Sequence, residues 1–231
     1  MCSFTRPISM NYLDCERPLS STACGGNHQQ YGPEFMFGHV FPKKKSPLTG
    51  QKVSITKVAV GGTTISQWMK ENRDNDDNYW YALVDAIKGS KGSMEAFVWF
   101  QGENEIFTEN QGSDYLDNLR IFIADVRQEI FETSTKFESA SDIPVIIVEM
   151  GYWIDNFGDG ERGRDVINAQ NTFVEEDPYA ELVKSGAGGL EENLSEFYHY
   201  DAASILIVGE RIANTLAALL REISPRQLDV M

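Results

Sequence analysis

Four short stretches of this 231-residue chain carry side chains or backbone groups that could do chemistry together. Gly61-Gly62 ends an apolar run, and two glycines there allow close backbone approach and present N–H groups to an anion or a developing oxyanion. Gln101-Gly102-Glu103-Asn104-Glu105 follows Phe97-Val98-Trp99-Phe100, so a buried strand would deliver polar groups straight to a sheet rim. A neutral amide such as Gln101 can donate to a developing oxyanion, whereas Glu103 with Glu105 would be the carboxylate pair of a glycosidase. The segment 149–153 brings Tyr152 and Trp153 to the end of another apolar run. His199 has Glu196 three residues before it, a spacing that lets the carboxylate hold Nδ1 and leaves Nε2 to act as a base.

Each stretch also has a plainer reading. The glycine pair can be a tight strand-to-helix turn, the Glu-rich loop a solvated cap, and His199 a packed residue between aromatics. The phosphate-binding patterns GxxxxGK[ST] and GxGxxG do not occur, and neither HExxH nor a histidine cluster points to zinc. Glu196-x-x-His199 is a single copy, where a di-iron bundle needs two. Thirty-five acidic against twenty basic residues give a net charge of −15, a field that repels phosphate backbones and makes nucleic acid and anionic membranes poor partners. The uninterrupted apolar runs fall short of a membrane span, and no targeting signal is legible in residues 1–12. Cys2, Cys15 and Cys24 are odd in number and lack CxxC spacing, which leaves the redox compartment open.

The elements that must position these groups follow from periodicity. Residues 1–50 hold five of the eight prolines and read as loop-rich apart from 34–41. Val53, Ile55, Val58 and Val60 form a β-branched run, expected as a buried strand ending at the glycine pair. Trp80, Leu83, Val84 and Ile87 mark one face of a helix, and 96–100 a strand. Leu116, Leu119, Ile123, Val126 and Ile130 predict a long helix, 143–149 a nearly continuous apolar strand, and Val166, Gln170, Phe173 and Val174 a shorter helix. Residues 181–184 are expected as the last strand, before a closing helix marked by Ile205, Val208, Ile212, Leu216 and Leu219. Alternating strands and helices predict one α/β domain over 1–231 with a parallel sheet, its ligands beyond the carboxyl ends of the strands, where the four stretches should converge.

Taken together, these blocks resemble a carbohydrate esterase family of sialate O-acetylesterase-like and acetylxylan esterase-like proteins within the SGNH hydrolases. Residues 32–38 look like the family's GPE-x-x-F-[GA] segment, 57–68 like K-x-x-x-GGT…W, and 99–105 like W-[HY]-QGE-[SN]-D, with Glu105 where Asp is usual. Tyr115, Leu119 and Arg127 fit the helix that follows, 196–199 the closing D-x-x-H with Glu196 for Asp, and 209–213 the final helix. The resemblance implies a flavodoxin-like three-layer α/β/α fold and a serine hydrolase that removes acetyl groups from sugars or glycans without metal or cofactor. His199 would be general base and acid, Glu196 its orienter, and Gly62 and Gln101 the oxyanion donors, with Gly61 and Glu103 beside them. Trp68, Tyr152 and Trp153 would offer flat faces to a sugar, or pack in the core.

The family's nucleophile lies in a GQSN-like turn after the first strand, and nothing in 1–31 resembles it; GxSxG is absent too. In a 2-1-3-4-5 sheet the first strand is interior, so losing it leaves two rows of unpaired backbone groups. The expectation is therefore an esterase whose start is incomplete, with 4–10 as the one candidate for a substitute strand. A complete, non-catalytic sugar-binding or interaction domain is the alternative.

Overall fold

The computed structural model describes residues 10–11, 32–45, 53–91, 94–107, 111–150, 160–185, 200 and 202–228. By contacts the chain divides into two compact units, Val60–Gly186, and Met1–Ala59 with Ala187–Met231.

The unit Val60–Gly186 is built on three parallel strands. β3 (Phe97–Trp99), β4 (Val145–Glu149) and β5 (Ala180–Lys184) lie in sequential order with β4 in the middle. Val145 faces Phe97 on one side and Ala180 on the other, so all three carboxyl ends reach the same rim. Every residue of β4 is buried, which is why Val-Ile-Ile-Val reads as a continuous apolar run rather than an alternating one. The helix α2 (Trp80–Gly89) precedes β3, and α3 (Gln111–Thr133) and α4 (Gly160–Glu176) connect β3 to β4 and β4 to β5. α3 buries Tyr115, Leu119, Phe122, Ile123, Val126 and Ile130, one stripe at helical spacing, and packs along α4. Arg127, on the same stripe, is buried because it is fully occupied: Nε donates to Ile143 O at 2.8 Å and the guanidinium pairs with Asp177. It thereby ties the entry of β4 to that of β5. This is the parallel α/β class that the alternating pattern predicts.

The other unit contains β1 (Met10–Asn11), α1 (Glu34–Lys45), β2 (Thr56–Lys57) and the closing helix α5 (Ala202–Leu228). α5 packs against α1, and Gly209 comes so close to the Pro33 carbonyl that any Cβ would collide with it. Residues 203–223 of α5 are long and apolar enough to cross a membrane by length and composition, although Val208, Ile212, Ala213, Leu216 and Ile223 are buried within the protein. Lys57 reaches back to Glu34, with Nζ 3.0 Å from Oε2.

One expected element is corrected. The run 53–60 is not a buried strand of the parallel sheet. Only Thr56–Lys57 is extended in a ladder, antiparallel to Met10–Asn11, and Val53, Ile55, Val58 and Val60 are half-buried. β-branched residues favour a pleated surface only where a partner strand and a core complete it, and here the described partner is two residues long.

Candidate active site

Two loops at the carboxyl rim are locked together by a buried polar network. The first begins at Gly61-Gly62, where both residues are exposed, Gly62 is left-handed (φ 73°), and no atom of the described residues lies within 4 Å of either Cβ position. The turn is closed by Thr63, whose Oγ1 donates to Val60 O (3.1 Å) and accepts from Trp68 Nε1 (2.9 Å). Thr64 then opens the 3-10 turn Ile65–Trp68, its N–H donating to Gln67 Oε1 at 2.9 Å.

The second loop leaves β3 at Gln101. Its amide nitrogen donates to Thr63 O (2.9 Å) and to Glu105 Oε2 (2.6 Å), so both amide hydrogens are spent inside the protein. The side-chain oxygen accepts from the Tyr115 hydroxyl at 3.2 Å, and Trp99 Nε1 donates to that hydroxyl at 3.3 Å. Glu105 sits on the 3-10 turn Asn104–Phe107, fully buried, with Oε1 accepting the Ile65 N–H at 2.5 Å. Between them Gly102 (φ 141°) runs so close to Met150, Val166 and Gln170 that only glycine fits without strain. Gln170 joins the third rim loop: its oxygen accepts the Met150 N–H and its nitrogen donates to Gln101 O, both at 3.1 Å.

The electrostatics follow from burial, with no cation paired to Glu103 or Glu105 among the described residues. Desolvation pushes Glu103 up to about 7, with backbone N–H groups at Glu103 and Gly102 holding it down in part and the Glu105 charge adding to the rise. Desolvation also lifts Glu105 to about 6, against the stabilising hydrogen bonds from Ile65 and Gln101. Tyr115 is raised for the same reason, with the Glu105 charge contributing. A half-buried acid near 7 at a rim can donate or accept a hydrogen bond at neutral pH.

The structure thus brings together three of the four predicted stretches: the Gly61-Gly62 turn, the 101–105 loop, and Met150 at the end of β4. Glu196, His199, Tyr152 and Trp153 lie outside the described residues. Gln101 is where the sequence reading expected it, but its amide binds protein carbonyl and carboxylate groups rather than standing free. Glu105 cannot flank a glycosidic bond, since both oxygens are committed at zero exposure, and this removes the glycosidase pair. Trp68 is core, 4% exposed and packed edge-on to Trp99, not a sugar platform. Thr63, Tyr115 and Gln170 are network members that the chemical reading of the sequence did not assign. The signal for Gln170 was present: an amide on the apolar face of a helix, between Val166 and Phe173, needs a buried partner. Among the described residues no three His, Cys, Asp or Glu side chains converge as metal ligands do.

Comparisons with known proteins point one way. A probable carbohydrate esterase of Arabidopsis thaliana is 21% identical over 162 residues, 69% of this chain, and the aligned part spans 58% of that relative's length. The X-ray structure of an Arabidopsis thaliana protein superposes with a TM-score of 0.60 at 19% identity, covering 86% of this chain and 71% of the other, which shows a shared fold. The family model described as carbohydrate esterase, sialic acid-specific acetylesterase, matches residues 7–218. A match over that much of the sequence places the chain in a family, and the chain belongs to the carbohydrate esterases of the sialic acid-specific acetylesterase kind.

Proposed function

We propose that the protein removes O-acetyl groups from sugars by serine-hydrolase chemistry, with this rim as the oxyanion side of the site. The observation that supports it most is the exposed, left-handed Gly62 turn, held from behind by a buried network and with no atom of the described residues within 4 Å of its Cβ position. A backbone N–H fixed in this way stabilises the charge that develops on an ester carbonyl without reorganising, the property that makes such donors worth about 10²–10³ in rate. Gln101 and Gly61 serve that donor from behind and beside it. Glu103, half-buried at the rim, hydrogen-bonds the hydroxyls of the sugar. His199 takes the proton from a seryl hydroxyl and returns it to the departing sugar oxygen, and Glu196 holds its tautomer. Acetate then leaves when water, activated by the same imidazole, attacks the acyl group.

A second reading, a sugar-binding domain without turnover, is favoured by one observation: both amide hydrogens of Gln101, the expected side-chain oxyanion donor, are spent on Thr63 O and Glu105 Oε2. The two separate in one experiment on the purified protein. Esterase chemistry predicts turnover of p-nitrophenyl acetate that His199→Ala abolishes. Calorimetric binding of an acetylated monosaccharide with no turnover gives the second reading instead.

A further inference from the structure

Glu105 is the group that the esterase reading leaves without a task, and its geometry is specific. It is fully buried, yet it makes no ion pair among the described residues. Its oxygens divide between the two loops: Oε1 takes the Ile65 N–H at 2.5 Å, and Oε2 takes Gln101 Nε2 at 2.6 Å. The same Gln101 nitrogen donates to Thr63 O at 2.9 Å. The peptide segment 63–65 is therefore held at both ends from the 101–105 loop, one residue beyond the left-handed Gly62. A buried carboxylate is costly, and a neutral or apolar residue would tie two loops with less penalty unless its acceptor-only character mattered. Here it does. Both partners are N–H donors, so an ionised carboxylate satisfies both, whereas a protonated acid or an amide must aim a hydrogen at one of them.

Resting on the esterase reading above, we propose that Glu105 is the positioning residue of the oxyanion turn: its carboxylate fixes the register of segment 63–65 against the 101–105 loop and so holds the Gly62 N–H in place. The groups that face it are the Glu103 carboxylate on its own loop, the Tyr115 hydroxyl from α3, and the neutral amide of Gln101; Gln170 from α4 reaches the same cluster through Gln101 O. Loss of either Glu105 contact lets the turn shift, and a displacement of about 1 Å in a positioning element costs about 10²-fold in turnover.

The test uses the full-length protein, ¹⁵N-labelled, with Glu105→Gln, Glu105→Asp and a Glu103→Gln control. In the wild type and in Glu103→Gln, the Ile65 and Gly62 amide resonances shift together as Glu105 titrates near pH 6. In Glu105→Gln they stay at their acidic position at every pH, while Glu105→Asp, which keeps two acceptor oxygens, restores the titration. On p-nitrophenyl acetate, Glu105→Gln lowers kcat about 10²-fold with KM within about twofold, and Glu105→Asp recovers most of it. Amide resonances in Glu105→Gln that track the wild type across pH overturn the proposal, as does an unchanged kcat in an enzyme that His199→Ala silences. An inactive wild type refutes the esterase reading instead, and the amide shifts still decide whether Glu105 sets the turn.

Discussion

Gly102→Ala puts a single methyl group where three loops meet, and its cost can be worked from the structure. The new Cβ would lie 2.9 Å from Met150 Cγ and Val166 Cγ1 and 3.4 Å from Gln170 Nε2, in a backbone with φ 141° that L residues rarely adopt. Backbone strain of that kind costs about 1–3 kcal/mol. Overpacking against two buried side chains adds about 1–3 kcal/mol, and the stiffer unfolded chain returns about 0.5–1 kcal/mol. The net is about 1–5 kcal/mol, a fall in Tm of about 3–15 °C for a unit of this size. Trp68, Trp80, Trp99 and Trp153 are the chain's four tryptophans and all lie in the unit Val60–Gly186, so their fluorescence in a urea titration reports the unit that contains the substitution. Gly61→Ala is the matched control, since no atom of the described residues lies within 4 Å of its Cβ position, and it should change stability by less than about 0.5 kcal/mol. A Gly102→Ala variant no less stable than Gly61→Ala would refute the close approach of the three loops at this position.

Three further outcomes follow from the same network. Glu103 is raised to about 7 by burial, so between about 4.5 and 7 the folded state holds a proton that the unfolded state has lost, and folding stability falls as pH rises through that window. Glu103→Gln should accordingly match wild type near pH 4.5 and exceed it at pH 8 by on the order of 2–3 kcal/mol in urea denaturation, with equal stability at pH 8 counting against the burial. Tyr115→Phe strands the Trp99 indole N–H in the core, costs about 1–3 kcal/mol by the same titration, and should alter Trp99 emission. Gly62→Ala, clear of every described neighbour but at φ 73°, loses about 1–2 kcal/mol through backbone strain; a neutral effect would mean that the turn is not left-handed in solution.

Most of the framework was legible because burial leaves a periodic imprint. The α3 stripe, the unbroken apolar run of β4 and the closing helix all read correctly, since a side chain that must face a core recurs at the element's own period. The run 53–60 misled because β-branched composition says what a strand prefers, not whether a partner exists. The rim was half legible. Polar residues directly after apolar strands marked the loops and their convergence, but not which groups spend their hydrogen bonds inward. Gln101 looked like a free donor and Glu105 like half of a carboxylate pair, because pairing to Thr63, Ile65 and Tyr115 spans 14 to 40 residues and no local spacing records it. The need for glycine at 102 has no local signal either: it comes from the approach of Met150 and Val166.

The central claim, acetyl-ester hydrolysis of a sugar through His199, is tested most directly by following free acetate by proton NMR when the full-length protein is mixed with an O-acetylated sialic acid. The account predicts acetate appearing in step with loss of the ester, and a fall of at least about 10²-fold in His199→Ala at unchanged substrate binding. Acetate release that is indifferent to His199, or saturable binding of the acetylated sugar with no acetate formed, would contradict it.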